Sequence, residues 1–160
     1  MATQRQSAMA VRLRQGVVGD LDEVMRIMTA AFHPCFGEAW TRSQCAGILP
    51  MQGVSLTIAE WGGAPVGFSL VRAVSDEAEL LLLAVDPAEQ RRGIGQALLD
   101  EFIAGGLVGG AHRLHLEVRD GNPAIELYRA SGFSAAGRRR NYYHGPEGEA
   151  YDAVTLLLTD

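Results

Sequence analysis

A chain of 160 residues fits one domain with a substantial core and leaves little room for a second. Its 48% hydrophobic and 21% charged residues exclude a disordered chain, and a net charge of −5 argues against a dedicated nucleic-acid binder, which needs a basic face. All 14 basic side chains are Arg, which reads as coding bias rather than mechanism. Cys35 and Cys45 have no metal-ligand spacing and are expected to be free thiols in a reducing compartment. The four His residues show no ligand spacing either, so no metal is expected. No apolar run approaches the ~20 residues of a membrane span, and Met1–Ala10 lacks the apolar stretch of a signal peptide. A cytoplasmic protein with no membrane partner is expected.

Residues 1–10 read as a flexible arm and 11–160 as the single domain. Val11 to Arg14 alternates apolar and basic residues, as a first strand does. Asp20 and Glu23 have capping-box spacing, and Leu21, Val24, Met25, Ile27 and Met28 form a helical stripe that ends near Phe32. Thr41 caps a second short helix that stops before Pro50. Val54–Glu60 and Pro65–Ala73 flank Gly62-Gly63 as the arms of a hairpin. Glu79–Val85 is almost wholly apolar, the pattern of a central strand covered on both faces. A glycine-punctuated turn leads into a helix over Gly95–Ala104. Arg113–Val118 reads as a strand with Leu114, Leu116 and Val118 on one face and His115 and Glu117 on the other. A helix over Pro123–Ala130 stops at Ser131-Gly132, and strands near Phe133–Arg140 and Ala150–Leu158 follow. The order predicts a mixed α/β domain.

The most informative segment runs from the buried strand through Asp86-Pro87 to Arg91-Arg92-Gly93-Ile94-Gly95-Gln96 and a helix start. N–H groups at a helix N-terminus lack intrahelical acceptors and carry partial positive charge, and glycines let backbone approach an anion. Such a turn can hold a pyrophosphate, with Arg91 and Arg92 adding charge. The alternative is a polar turn whose glycines only satisfy backbone geometry. A Rossmann turn needs a third glycine, and a Walker turn needs a Lys that the chain lacks.

Arg91-Arg92-Gly93-Ile94-Gly95 resembles the Arg/Gln-x-x-Gly-x-Gly/Ala motif of the GCN5-related N-acetyltransferase (GNAT) family, and Asn122, Leu127-Tyr128 and Gly132-Phe133 resemble its downstream signature. Leu116-Glu117-Val118-Arg119, Arg139-Arg140-Asn141-Tyr142-Tyr143, Asp152-Ala153 and Ala39-Trp40-Thr41 narrow the likeness to RimI-type ribosomal-protein alanine N-acetyltransferases. One spacing departs: Tyr128 follows Asn122 by six residues where the family has seven, which makes Asn122 the less secure contact.

The resemblance implies a GNAT fold: a mixed, mostly antiparallel sheet of about seven strands, about four flanking helices, and a splay between the fourth and fifth strands. It implies acetyl-CoA as co-substrate. The backbone of Leu83, Ala84 and Val85 would meet the pantetheine arm, and Arg91, Arg92, Gly93, Ile94, Gly95, Gln96 and Asn122 would hold the remainder. Glu117 would be the general base and Tyr128 the general acid, with Glu79 on the neighbouring strand as a rival base and Tyr142 and Tyr143 lining the acceptor groove. The acceptor it implies is a protein N-terminus, an alanine of a small-subunit ribosomal protein. An acetyltransferase for a small amine is the alternative, and a non-catalytic acyl-CoA-binding module is a third. With no Ser/His/Asp or Cys/His set apparent, direct transfer is expected rather than an acetyl-enzyme.

Overall fold

The computed structural model describes residues 10–159, so residues 1–9 of the expected arm lie outside the described residues. In chain order the elements are β1 (Val11–Gln15), α1 (Leu21–Ala31), α2 (Arg42–Ile48), β2 (Val54–Trp61), β3 (Ala64–Val74), β4 (Glu77–Val85), α3 (Ile94–Val108), β5 (Arg113–Arg119), α4 (Ala124–Ala130), β6 (Ser134–His144) and β7 (Ala150–Thr159). Short 3-10 turns occupy Val18–Asp20, Pro34–Phe36 and Pro87–Glu89.

The strands form one sheet in the order β1-β2-β3-β4-β5-β7-β6. Every neighbouring pair is antiparallel except β4 and β5, which are parallel. Their pairing runs only from Glu77 opposite Arg113 to Leu80 opposite Leu116, after which the strands part. This is the splayed, mostly antiparallel sheet that the family resemblance implies. Among the described residues, no helix is long and apolar enough to cross a membrane.

A bulge in β4 explains its unbroken apolar run. Leu70 of β3 faces Leu82, whereas the next residue, Val71, faces Leu80, so Leu81 is the extra residue. Directly paired residues share a face and successive residues alternate, so the bulge turns Leu80 and Leu82 to opposite sides of the sheet. Ala78 and Leu80 pack with Leu114, Leu116, Val118, Leu99 and Phe102 on the α3–α4 face. Leu82 and Ala84 pack with Ile27, Met28, Phe68 and Leu70 under α1. Full burial of a Leu or Ile side chain here stabilises by roughly 2 kcal/mol.

The helical stripe on α1 is as expected: Leu21, Val24, Ile27 and Met28 are buried. Its start is not. The Asp20 carboxylate makes no cap bond to α1; it accepts from the Val17 N–H at 2.8 Å and pairs with Arg14 at 2.8 Å, while Glu23 pairs with Arg26. A 3-10 turn ahead of the helix moves the capping geometry one turn earlier, and the carboxylate is shared between the Val17 N–H and a bidentate Arg14 guanidinium. Thr41 does cap α2, in a reciprocal box with Gln44. Strand β6 runs four residues past the expected end at Arg140, because a bulge between Arg139 and Tyr143 lets pairing with β7 resume at Tyr143. Neither cysteine is in a disulfide; Cys45 is buried and Cys35 partly so.

Candidate active site

Where β4 and β5 part, the sheet opens into a cleft of about 720 Å³. Its walls come from the second half of β4, the turn into α3, the end of β5, the start of α4, and the chain between α1 and α2. Leu81–Val85 have no β5 partner beyond Leu80, so backbone groups on that edge of β4 are open to an extended ligand. Leu83, Ala84 and Val85 all line the cleft.

At one end, α3 begins behind Gly93, which has φ +74. A Cβ built on Gly93 meets nothing within 4 Å, so the backbone there stands beside open space. Arg91 also has positive φ, at 69, which carries the chain around the turn. Arg91, Gly93, Ile94, Gly95 and Gln96 line the cleft. The first N–H groups of α3 lack intrahelical acceptors and are available to an anion. Arg92 is not among the lining residues: its guanidinium pairs with Glu89 and lies 4.8 Å from the Trp61 ring centre. The Gln96 side chain is held by Asp100 and Ser131, leaving its backbone to face the turn.

Glu117 lies on the face of β5 opposite Leu116, with only 14% of its side chain exposed. Its Oε1 forms an ion pair with Arg139, 2.7 Å from Nε, while Oε2 is buried without a hydrogen-bond partner. Burial pushes its pKa above the usual carboxylate value; the Arg139 charge opposes that, Glu79 adds to it and His115 opposes it. Glu79 stands opposite His115 across the β4–β5 pair, with its carboxylate 3.3 Å from Arg72 and 4.0 Å from His115 Nδ1. Both glutamates line the same cleft, and Glu117 is the more enclosed of the two.

Tyr128, on α4, is 6% exposed and packs edge-to-face on Phe133. Burial, with a contribution from the Glu38 charge, pushes its hydroxyl pKa upward, so it holds its proton. Asn122 caps the start of α4 by accepting from the Ala124 N–H at 2.8 Å, and its amide donates to Glu38 at 2.8 Å. Its side chain is thus engaged within the protein, although the residue borders the cleft. Tyr143 donates its hydroxyl to the Glu117 carbonyl at 3.3 Å, and Tyr142 packs edge-on against it. These two tyrosines form the β6 wall.

Sequence reading missed Glu38. It enters from the chain between α1 and α2 and bonds Arg119 and Asn122, which are 81 and 84 residues distant. Arg119, quoted only as part of a motif, also has its guanidinium 3.7 Å from the Phe36 ring centre. No local pattern marks such residues, because their meaning lies in partners the chain reaches only on folding. Among the described residues, no cluster of His, Cys, Asp or Glu has the geometry of a metal site.

The profile of the acetyltransferase (GNAT) family matches residues 21–133. The [ribosomal protein bS18]-alanine N-acetyltransferase of Escherichia coli strain K12 is 43% identical over 97 residues, covering 60% of this chain and 65% of that protein. The N-alpha-acetyltransferase RimI of Mycobacterium tuberculosis is 43% identical over 101 residues, 58% of this chain and 60% of that protein. The matches thus span less than two thirds of these relatives' lengths. The crystal structure of the ribosomal-protein-S18-alanine N-acetyltransferase from Escherichia coli superposes with a TM-score of 0.83 at 32% identity, covering 93% of each chain.

Proposed function

The chain belongs to the acetyltransferase (GNAT) family, and we propose that it transfers the acetyl group of acetyl-CoA to the N-terminal α-amine of a protein, with the N-terminal alanine of a small-subunit ribosomal protein as acceptor. The observation that carries this reading is the convergence of Glu117 and Tyr128 on one cleft, opened by the parting of β4 and β5. The likeness to the bS18-alanine acetyltransferase supports the choice of acceptor.

The residues present fit acetyl-CoA. The unpaired edge of β4 offers peptide groups to the pantetheine amides, and the open backbone at Gly93 with the α3 N-terminus suits the pyrophosphate. Arg91 adds positive charge on the cleft side, whereas Arg92 braces the turn through Glu89 and Trp61.

An N-terminal amine has a pKa near ~8, so a modest base is enough to keep it neutral. Glu117, made more basic by burial, takes the amine proton as nitrogen bonds to the thioester carbonyl carbon. Tyr128, which holds its proton tightly, delivers it to sulfur as the carbon–sulfur bond breaks, giving the amide and free coenzyme thiol. Tyr142 and Tyr143 flank the acceptor. Glu79 stands directly opposite His115 and adds negative charge that helps Glu117 take up the proton.

The test is acetyl-CoA-dependent thiol release with a Lys-free peptide bearing a free N-terminal alanine, beside its N-terminally blocked twin. Release with the free peptide alone supports the reading. Release only with small amines, such as polyamines or amino acids, would move the acceptor to that class while keeping acetyl transfer.

A further inference from the structure

We propose that Arg139 is a displaceable counter-ion of Glu117: it pairs with this cleft-lining carboxylate in the resting protein, and the incoming ammonium takes its place. This rests on the reading of Glu117 as the residue that meets the acceptor amine.

The pair is built unsymmetrically. Arg139 is on β6 and Glu117 on β5, with β7 between them. In register, Glu117 faces Thr155, and Thr155 faces Gly137 on β6. Gly137 puts no side chain on that row, and Ala153 and Thr155 put only small ones on β7. The Arg139 side chain crosses β7 diagonally over them and reaches Glu117 Oε1 at 2.7 Å. The carboxylate end is 14% exposed and the arginine end 61%. Glu117 is fixed in the wall, while the guanidinium can leave into water and be rehydrated at small cost.

Arg139 also lies beside the tyrosine wall of the cleft. Its guanidinium lies 5.5 Å from the ring centre of Tyr142, which lines the cleft. The other charged or titratable groups acting on Glu117 are Glu79 from β4 and His115 from β5, with the Tyr143 hydroxyl packed on the Glu117 carbonyl from β6. None of these is a fixed cation, so Arg139 is the permanent positive charge directly on the carboxylate. An ammonium approaching the pair meets like charge until Arg139 withdraws, and exchange leaves the carboxylate paired throughout. With Arg139 withdrawn, transfer of the ammonium proton to Glu117 neutralises both groups and leaves no guanidinium on the carboxylate to oppose that uptake.

The experiment compares the wild-type enzyme with Arg139→Gln. The Glu117 carboxylate is titrated directly by carbon-13 NMR in the ligand-free protein, and kcat and KM are measured with the Lys-free alanine peptide. The expected results are a titration midpoint higher by roughly half a pH unit and a peptide KM lower by about two- to fivefold. A midpoint that stays or falls, or a peptide KM that holds or rises, overturns the proposal. The carbon titration reads the ion pair whether or not Glu117 takes the proton. Failure of the catalytic assignment shows separately, as undiminished turnover in Glu117→Gln.

Discussion

Glu38 Oε1 and Arg119 Nε lie 3.1 Å apart, with 9% and 10% of their side chains exposed. This buried pair joins the chain between α1 and α2 to the end of β5, at the point where the cleft divides the sheet. The second Glu38 oxygen accepts from Asn122, which caps α4 and so stands at the foot of the helix that carries Tyr128. One carboxylate therefore ties three walls of the cleft together.

Removing Glu38 alone leaves a buried guanidinium without its counter-ion. Glu38→Ala is expected to lose about 3 kcal/mol of stability, read from urea midpoints at constant m. The double variant Glu38→Leu with Arg119→Met should lose distinctly less, because no unpaired charge remains. Equal losses in the two would show that packing, not charge, dominates at this point.

Glu117→Gln should lower kcat by about 100-fold or more with acetyl-CoA affinity retained, as measured by calorimetric titration and steady-state kinetics. Turnover at the wild-type rate would remove Glu117 as the base and leave Glu79 to be tested.

The same substitution makes a stability prediction with a definite sign. Glu117 has a higher pKa in the folded protein than in the unfolded chain, so the native state binds its proton more tightly. Its contribution favours folding below the unfolded carboxylate pKa and is lost as pH rises through the folded value. At neutral pH the buried charge is a net cost, and Glu117→Gln should be at least as stable as wild type. That advantage should shrink on acidification below the ordinary carboxylate range, as urea denaturation across pH can establish.

Gly93→Val tests the turn. With φ +74 and no neighbour within 4 Å of a Cβ, the valine meets no clash but must hold a left-handed conformation, at a cost of about 1–2 kcal/mol. The fold should persist, as circular dichroism would show, while acetyl-CoA binding weakens sharply because the side chain fills the space beside the backbone. Normal coenzyme affinity would argue that the pyrophosphate binds elsewhere.

Gly37 makes the opposite kind of demand. Its φ is +68, and a Cβ there would lie 2.0 Å from the His144 carbonyl oxygen, which locks the α1–α2 connection onto the β6–β7 hairpin. Gly37→Ala should push these segments apart and lower kcat/KM for the peptide by about tenfold or more. Acetyl-CoA affinity, set at the other end of the cleft, should be nearly unchanged.

The sequence by itself determined what depends on near neighbours. Thr41 with Gln44, the α1 stripe, the Gly62-Gly63 hairpin and the glycine turn before α3 each act through residues a few positions away, so each was readable. The alternation that sets Glu117 against Leu116 belongs to the same class. The apolar run of β4 also showed a buried strand, but not that a bulge at Leu81 turns Leu80 and Leu82 to opposite faces, since that depends on register with β3. Only the tertiary structure decided how far β4 and β5 stay paired, that Arg92 turns to Trp61 while Arg91 lines the cleft, and that Asp20 serves Arg14 rather than α1. It likewise decided that Glu38 meets Arg119 and that Arg139 meets Glu117. Charged side chains are long and carry no periodic signature, so the partner each selects is fixed by which strands and loops the completed sheet brings within a few ångströms.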